Sequence, residues 1–328
     1  MGLKKFIKRD LNNLFYREYR IQRKVRKYLM PSYTLSAPLC RNEEKIIIFM
    51  ADGKKKHGGL ADRLRGIVTT YKYCLDHQID FRIHFTSPFK LEDLLVPKDY
   101  NWFINERDIS YNSKCSLPVY IDSSKYPEAD CLYQAKLAEK YLSRHYKQIH
   151  IYTNMYYADD EFGLLFNSLF RPVPKLEKII DENLAKLGEG YISLSFRFRN
   201  LFGDFKADKS LIYSPAQQRH LLDKCVSKVI AMREEYPEVN KFLITADSET
   251  FLKEVSHLPF VHLLPGDIGH MDDKTENSIT LHMKTFLDFY MLSYSKKIFL
   301  LVAENMYKSG FAKRASKLHN VPFTEIFF

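Results

Sequence analysis

From about residue 45 onward, hydrophobic positions fall into short extended runs separated by longer stretches of helical spacing. Lys45-Ile-Ile-Ile-Phe-Met50 is continuously apolar, the pattern of a strand buried on both faces. Ile79-Asp-Phe-Arg-Ile-His-Phe85 alternates instead, as a half-buried strand does. Further strands are expected at 147–154, 191–199, 241–247, 261–264, 297–302 and at the terminal Pro322-Phe-Thr-Glu-Ile326. Between them, helical spacing predicts a helix running to about Cys74, loop and helix to about Asn101, and helices over 176–187, 215–235 and 280–293. Shorter helices are expected from Glu249 and from Ser309. Strands alternating with helices imply parallel sheets with crossover helices. The break Phe170-Arg-Pro-Val-Pro174 divides the chain, so an α/β body of two halves is expected, 45–171 and 172–328, facing a cleft. There is no internal repeat and no low-complexity tract.

The first 44 residues read differently. Leu3, Phe6, Ile7, Leu11, Leu14, Phe15, Ile21, Val25, Tyr28 and Leu29 form one helical stripe, with most of the cations opposite and Pro31 ending the pattern. Residues 31–44 read as a linker. Ten Lys/Arg against Asp10 and Glu18 give residues 1–27 a balance of +8 out of the chain's +10, so the body is close to neutral. A basic amphipathic helix suits an anionic membrane surface. A helix packed on the body with solvated cations, and nucleic-acid binding, are the other readings.

The 328 residues, 45% hydrophobic and 14% aromatic, are enough for one or two real cores. Cys40, Cys74, Cys115, Cys131 and Cys225 are widely spaced with no CxxC, which argues against a zinc site or a disulfide framework and suits a reducing compartment. No apolar run reaches the roughly 18 residues of a spanning helix, and no secretory signal is visible.

Two stretches carry candidate chemistry. Tyr191-Ile-Ser-Leu-Ser-Phe-Arg-Phe-Arg199 puts Ile192, Leu194, Phe196 and Phe198 on one face and Arg197 and Arg199 on the other, ahead of Asn-Leu-Phe-Gly-Asp204. Arginines at the carboxyl end of such a strand either clamp an anion or lie solvated on an edge strand. The second stretch, Ala51-Asp-Gly-Lys-Lys-Lys-His-Gly-Gly-Leu-Ala-Asp-Arg-Leu-Arg-Gly66, is a strand, glycine loop and helix start, the usual anion cradle. It matches neither GxGxxG nor GxxxxGK[ST], so neither a dinucleotide fingerprint nor a P-loop is expected.

Four separated segments together resemble the fucosyltransferase superfamily, which includes nodulation and core α1,6-fucosyltransferases, α1,2-fucosyltransferases and protein O-fucosyltransferases. Gly58-Gly-Leu-Ala-Asp-Arg-Leu-Arg-Gly66 is similar to its GGLGDRLRG-like loop. Ser195-Phe-Arg197 resembles its H-x-R motif, whose arginine binds the β-phosphate of GDP-fucose. Thr245-Ala-Asp247 looks like its acidic strand end. Phe286-Leu-Asp288 through Tyr307-Lys-Ser-Gly-Phe311 looks like its helix acid and serine-glycine loop. The similarity spans about 46–320. The motif histidine is replaced by Ser195, the second arginine by Phe198 with Arg199 one place on, and the loop asparagine is absent, which leaves donor sugar and acceptor open.

The resemblance implies a GT-B-like pair of Rossmann-like domains, 45–171 on the acceptor side and 172–328 binding the nucleotide-sugar. It implies an inverting, metal-independent transfer of L-fucose from GDP-fucose to a surface glycan or lipid-linked precursor, at the cytoplasmic face of a membrane. Arg197 and Asp204 are the implied catalytic residues, Asp204 as general base. His57, Gly58, Gly59, Arg63, Arg65, Arg199, Asp247, Asp288, Ser309 and Gly310 are the implied donor contacts. No metal, no other cofactor and no nucleic acid is expected. His270, beside Asp272, competes with Asp204 as base and is otherwise a loop-stabilising histidine; Asp288 is otherwise a helix-surface acid. Another nucleotide-sugar, or a non-enzymatic membrane- or RNA-binding protein on an α/β scaffold, are the alternatives.

Overall fold

The computed structural model describes residues 18–122, 127–204, 211–268 and 279–328. They fall into two compact units, one within Met1–Ser87 and Pro97–Leu169, the other within Pro88–Val96 and Phe170–Phe328.

The first unit holds a four-stranded parallel sheet of β1 (Ile46–Ala51), β2 (Asp80–Phe85), β4 (Ser116–Ile121) and β5 (Gln148–Thr153), in the order β2-β1-β5-β4. The continuous apolar run makes β1 a central strand, buried at every residue. The alternating run makes β2 an edge strand, buried at every second one. The sequence signals missed β4 because Pro118 interrupts it. A proline removes one ladder donor, and β4 is the other edge, where that is tolerated. The helix Leu60–Asp76 crosses from β1 to β2 and lies against the end of β5 at Gly66, where an added Cβ would come within 2.3 Å of the Thr153 carbonyl oxygen.

The second unit has five parallel strands: β7 (Ile192–Ser195), β8 (Phe242–Thr245), β9 (Val261–Leu263), β10 (Lys297–Val302) and β11 (Phe323–Phe327). Their order is β11-β10-β7-β8-β9. Read from β9, the chain order is 3-2-1-4-5, that of a Rossmann half, with the reversal between β7 and β10. Residues β3 (Leu95–Pro97) and β6 (Phe170–Pro172) pair separately.

Local sequence sets the helices. Pro174 opens Pro174–Leu187 at its first turn and Gly188, at φ 71°, ends it. Ser214 and Gln217 form a reciprocal capping box on Pro215–Glu235. Leu194, Phe196, Phe198, Phe242, Ile244, Phe251, Phe299 and Leu301 fill one face of the sheet with Cys225, Val229 and Met232. Each buried phenylalanine there is worth about 1.5–3 kcal/mol.

Of the expected N-terminal helix, residues 1–17 lie outside the described part. Residues 18–24 are helical, followed by a π turn over Val25–Leu29 and a 3-10 turn over Met30–Ser32. Ile21, Val25 and Leu29 are buried against the first unit, so this part of the stripe faces the body. Glu18 accepts hydrogen bonds from Tyr141 at 2.6 Å and from Lys140. Arg20, Arg23, Arg26 and Lys27 are exposed. The expected linker is a strap instead: Asn112 Nδ2 donates to Leu35 O and Ala37 O at 3.1 and 2.6 Å, and Ser110 Oγ to Pro38 O at 2.6 Å.

Gly66→Ala tests the helix–strand contact by its sign. In an open helix the change gains up to about 1 kcal/mol. Here overpacking against a backbone oxygen should cost about 1–3 kcal/mol, read as a lower urea midpoint at unchanged slope. A raised midpoint would contradict the close approach.

Candidate functional site

Ligands of open parallel sheets lie beyond the carboxyl ends of the strands where the order reverses. In the second unit that point is flanked by the loops leaving β7 and β10. The β7 strand is four residues long, shorter than the sequence pattern, because Asp247 captures the chain after it. Its Oδ1 accepts the Phe198 N–H at 2.7 Å and its Oδ2 the Arg199 N–H at 2.8 Å. Its Oδ2 also takes Nη1 of Arg197 at 2.8 Å. Alternation nevertheless continues past the strand. Phe196 and Phe198 stack in the core at 5.9 Å with Phe251 against both, and Arg197 projects from the other side, half-buried.

Asp247 is buried, and burial pushes its carboxyl up from the ordinary aspartate range against the opposing pull of Arg197 and the two N–H donors. A carboxylate accepting a guanidinium and two backbone N–H groups is well matched to its partners. The loop it holds is strained: Arg199 adopts φ 59°, in the left-handed region, and its guanidinium lies 5.4 Å from the Tyr307 ring centre. Across the switch point, Glu304 in the β10 loop is also left-handed, at φ 46°, and Tyr307 N–H donates to Arg197 O at 2.9 Å. Strain of about 1–3 kcal/mol per residue persists where surrounding structure enforces it, and clusters at functional sites.

The β10 loop continues through Ser309, whose Oγ accepts the Phe311 N–H at 3.2 Å, to Gly310 at the head of Phe311–Lys317. A Cβ on Gly310 would lie 2.2 Å from Nη1 of Arg314, which donates to Gly310 O at 3.1 Å. Arg314 is a buried cation that the sequence reading missed. No local signal marked it: in this seven-residue helix Arg314 and Lys317 are the cations of the last turn, where the helix dipole favours them.

Arg197, Arg199, Asp247, Ser309 and Gly310 are therefore brought to one edge of one sheet. Asp204 lies on the same β7 loop, where its Oδ1 accepts Thr250 Oγ1 at 2.7 Å and Thr250 N–H at 3.3 Å. Asp288 is not a surface acid. It is buried on the helix Ile279–Ser293, paired with Lys284 Nζ at 2.5 Å, and burial raises its carboxyl despite that partner. His270 and Asp272 lie outside the described residues.

The remaining candidates belong to the first unit, at the carboxyl ends of β1 and β5. Arg63 is buried, donating from Nε to Gly58 O at 3.1 Å and from Nη1 to Ser87 O at 2.9 Å. Arg65 pairs with Asp62 at 3.0 Å. Gly58 holds φ 90°, and a Cβ there would meet the Asp62 carboxylate at 2.4 Å; Gly59 is the extended residue heading the helix. His57 is buried with Nδ1 3.3 Å from Thr153 O, which assigns the proton to Nδ1 and leaves Nε2 as a bare acceptor. That Nε2 has no hydrogen-bond partner among the described residues. Burial, then the charge of Arg63, pushes the imidazole down to about 4. Among the described residues, no group of three or more His, Cys, Asp or Glu stands together as a metal site, and no helix is long and apolar enough to cross a membrane.

The fold is similar to that of solved fucosyltransferase structures. NodZ α-1,6-fucosyltransferase co-crystallised with GDP superposes with a TM-score of 0.57 at 17% identity, over 87% of this chain and 96% of that one. NodZ soaked with GDP-fucose gives 0.56 at 16%, over 87% and 95%. Fucosyltransferase NodZ from Bradyrhizobium gives 0.56 at 15%, over 87% and 96%. This chain shares their fold. No family model matches the sequence, and no curated protein does.

His57 offers a pH test of the first-unit loop. A histidine held neutral on folding contributes stability that is present above its ordinary value of 6.5 and lost as pH falls toward 4. Within that window the cost is about 1.4 kcal/mol per pH unit. His57→Asn should flatten the acid limb of the unfolding free energy by about that slope, leaving the similar contribution of His150, which burial pushes down to about 3. An unchanged limb would contradict a buried neutral His57.

Proposed function

We propose that the chain is a glycosyltransferase of the fucosyltransferase type that binds a GDP-sugar, GDP-L-fucose, at the β7/β10 switch point of its second unit. The observation that carries this reading is the Asp247 carboxylate fixing the Arg197 guanidinium and the Phe198 and Arg199 N–H groups at the ligand edge of a Rossmann-ordered sheet. Two of the NodZ structures that share the fold were soaked with GDP-fucose or co-crystallised with GDP, and that supports the choice of donor. The chemistry is a single displacement. An acceptor hydroxyl oxygen bonds to the anomeric carbon, the bond from that carbon to the β-phosphate oxygen breaks, and the sugar inverts. Negative charge grows on the departing diphosphate, and guanidinium groups meet it without a metal. Arg197 is the principal contact, supported by Arg199, Ser309 and Gly310. Asp204 takes the acceptor proton. Asp288 completes the donor contacts of the second unit in this reading.

The first unit serves the acceptor, a surface glycan or its lipid-linked precursor, in a GT-B-like division of labour. The exposed Arg20, Arg23, Arg26 and Lys27 support a peripheral place on the anionic inner face of the cell membrane. Flotation with anionic vesicles that persists after these four are changed to glutamine would contradict that attachment. Ser195 and Phe198, where the superfamily pattern has histidine and arginine, favour a second reading with another nucleotide-sugar.

The test is product mass spectrometry with a panel of nucleotide-sugars and lipid-linked acceptors, run in EDTA. Transfer from GDP-fucose is expected, and activity seen only on adding manganese would contradict the metal-free mechanism. Arg197→Ala should lose turnover on the order of a hundred- to a thousandfold while remaining folded. Arg197→Lys keeps the charge but loses the planar fork, so GDP should still bind weakly with most turnover gone. Parental turnover in Arg197→Ala would overturn the assignment, and a protein that binds no GDP would be a scaffold.

A further inference from the structure

The strap and β4 bring together two cysteines that are 75 positions apart in the sequence. The Cys40 N–H donates to Cys115 Sγ at 3.0 Å. Both sulfurs share one hydroxyl, Ser116 Oγ, at 3.4 Å from Cys40 Sγ and 3.9 Å from Cys115 Sγ. Ser110 Oγ lies 3.5 Å from Cys115 Sγ and also anchors the strap at Pro38. The pair is held from both sides. Asn112 grips the strap before it, and Asn42, after it, donates to Lys147 O at 3.0 Å and accepts from Gln148 Nε2 at 2.9 Å. Cys40 is half-exposed, Cys115 is buried behind it, and Cys74 and Cys225 are buried elsewhere.

We propose that Cys40 and Cys115 form a reversible disulfide, a redox-modification site that ties the chain N-terminal to the body covalently onto the edge strand β4. The inference is independent of the glycosyltransferase reading. The oxidant is a small-molecule disulfide. The accessible Cys40 thiolate attacks one of its sulfurs, the oxidant's S–S bond breaks, and one thiol leaves, giving a mixed disulfide on Cys40. The Cys115 thiolate then attacks Cys40 Sγ, the new bond forms, and the second thiol leaves. Two electrons pass to the oxidant, and the protons of the two protein thiols end on its two departing thiols. Access sets these roles, since Cys40 is half-exposed and Cys115 buried. Burial raises the Cys115 thiol, but hydrogen bonds from Cys40, Ser110 and Ser116 outweigh it, so the resolving thiol is held below its ordinary value. Burial raises Cys40, the thiol that meets the oxidant by access. Reversible dithiols of this kind belong to reducing compartments as sensors, where structural disulfides do not persist.

The test is peptide mapping of the native full chain after oxidised glutathione, with free thiols blocked before trypsin. The expected product is peptide 28–41 joined to peptide 115–125, separated again by dithiothreitol. In Cys115→Ser, glutathione should remain on Cys40 with no cross-link, because the resolving thiol is gone. The wild-type protein unfolded in urea should instead give mixed pairings among its cysteines. Recovery of 28–41 and 115–125 unlinked from the folded wild type, or linkage of Cys40 chiefly to another cysteine, would overturn the proposal.

Discussion

The second unit depends on one buried carboxylate. Asp247 stands at the end of β8 and reaches the chain leaving β7, where it accepts two successive backbone N–H groups and one guanidinium. Without those acceptors, the N–H groups of Phe198 and Arg199 would lose their partners at the end of a strand, and the left-handed turn at Arg199 would lose what enforces it. The core helps from the opposite side: Phe196 and Phe198 are locked against Phe251, so the arginine between them has one direction left. Packing sets which way Arg197 points, and Asp247 sets where its fork stops. A group fixed in this way before a ligand arrives loses little freedom when it meets a phosphate.

Other polar groups buried in the same unit fit that picture. Ser193 Oγ and Thr245 Oγ1 are enclosed with no hydrogen-bond partner among the described residues. Lys284 and Asp288 form an ion pair inside a helix, in the order that the helix dipole favours less. Arg314 is folded back on Gly310. Each is expensive by stability alone, because desolvating a polar or charged group opposes folding unless the group is matched. Their gathering in the unit whose strand order creates a switch point is the pattern of a fold that trades stability for a polar site.

Much of this was legible in the sequence, and the parts that were not share a cause. Period-2 and period-3.6 signals located β1, β2, β5, β7, β8, β9, β10 and β11, and Pro215–Glu235 has the expected bounds, because local spacing reports local burial. The alternation at 192–199 gave the direction of Arg197 correctly, although the strand itself stops at Ser195. The strand β4 was hidden by Pro118, whose tolerance depends on its edge position. The strap at 33–44 read as a linker, since its hydrogen bonds come from Ser110, Asn112 and Gln148, far along the chain. Asp288 read as a choice between ligand contact and surface acid; Lys284, four residues earlier on the same helix, is a local partner, and only tertiary packing buries the pair. The proximity of Cys40 to Cys115 has no local trace at all.

The central claim is that Asp247 prepares Arg197 and its loop to receive a nucleoside diphosphate. Calorimetric titration of GDP into the wild type, Arg197→Ala, Asp247→Asn and the double variant, each first shown to be folded, measures it directly. If Asp247 acts through Arg197, the double variant should bind little worse than Arg197→Ala, with a coupling of about 1–3 kcal/mol. Undiminished GDP affinity in Arg197→Ala, or losses from the two single changes that simply add, would contradict the account.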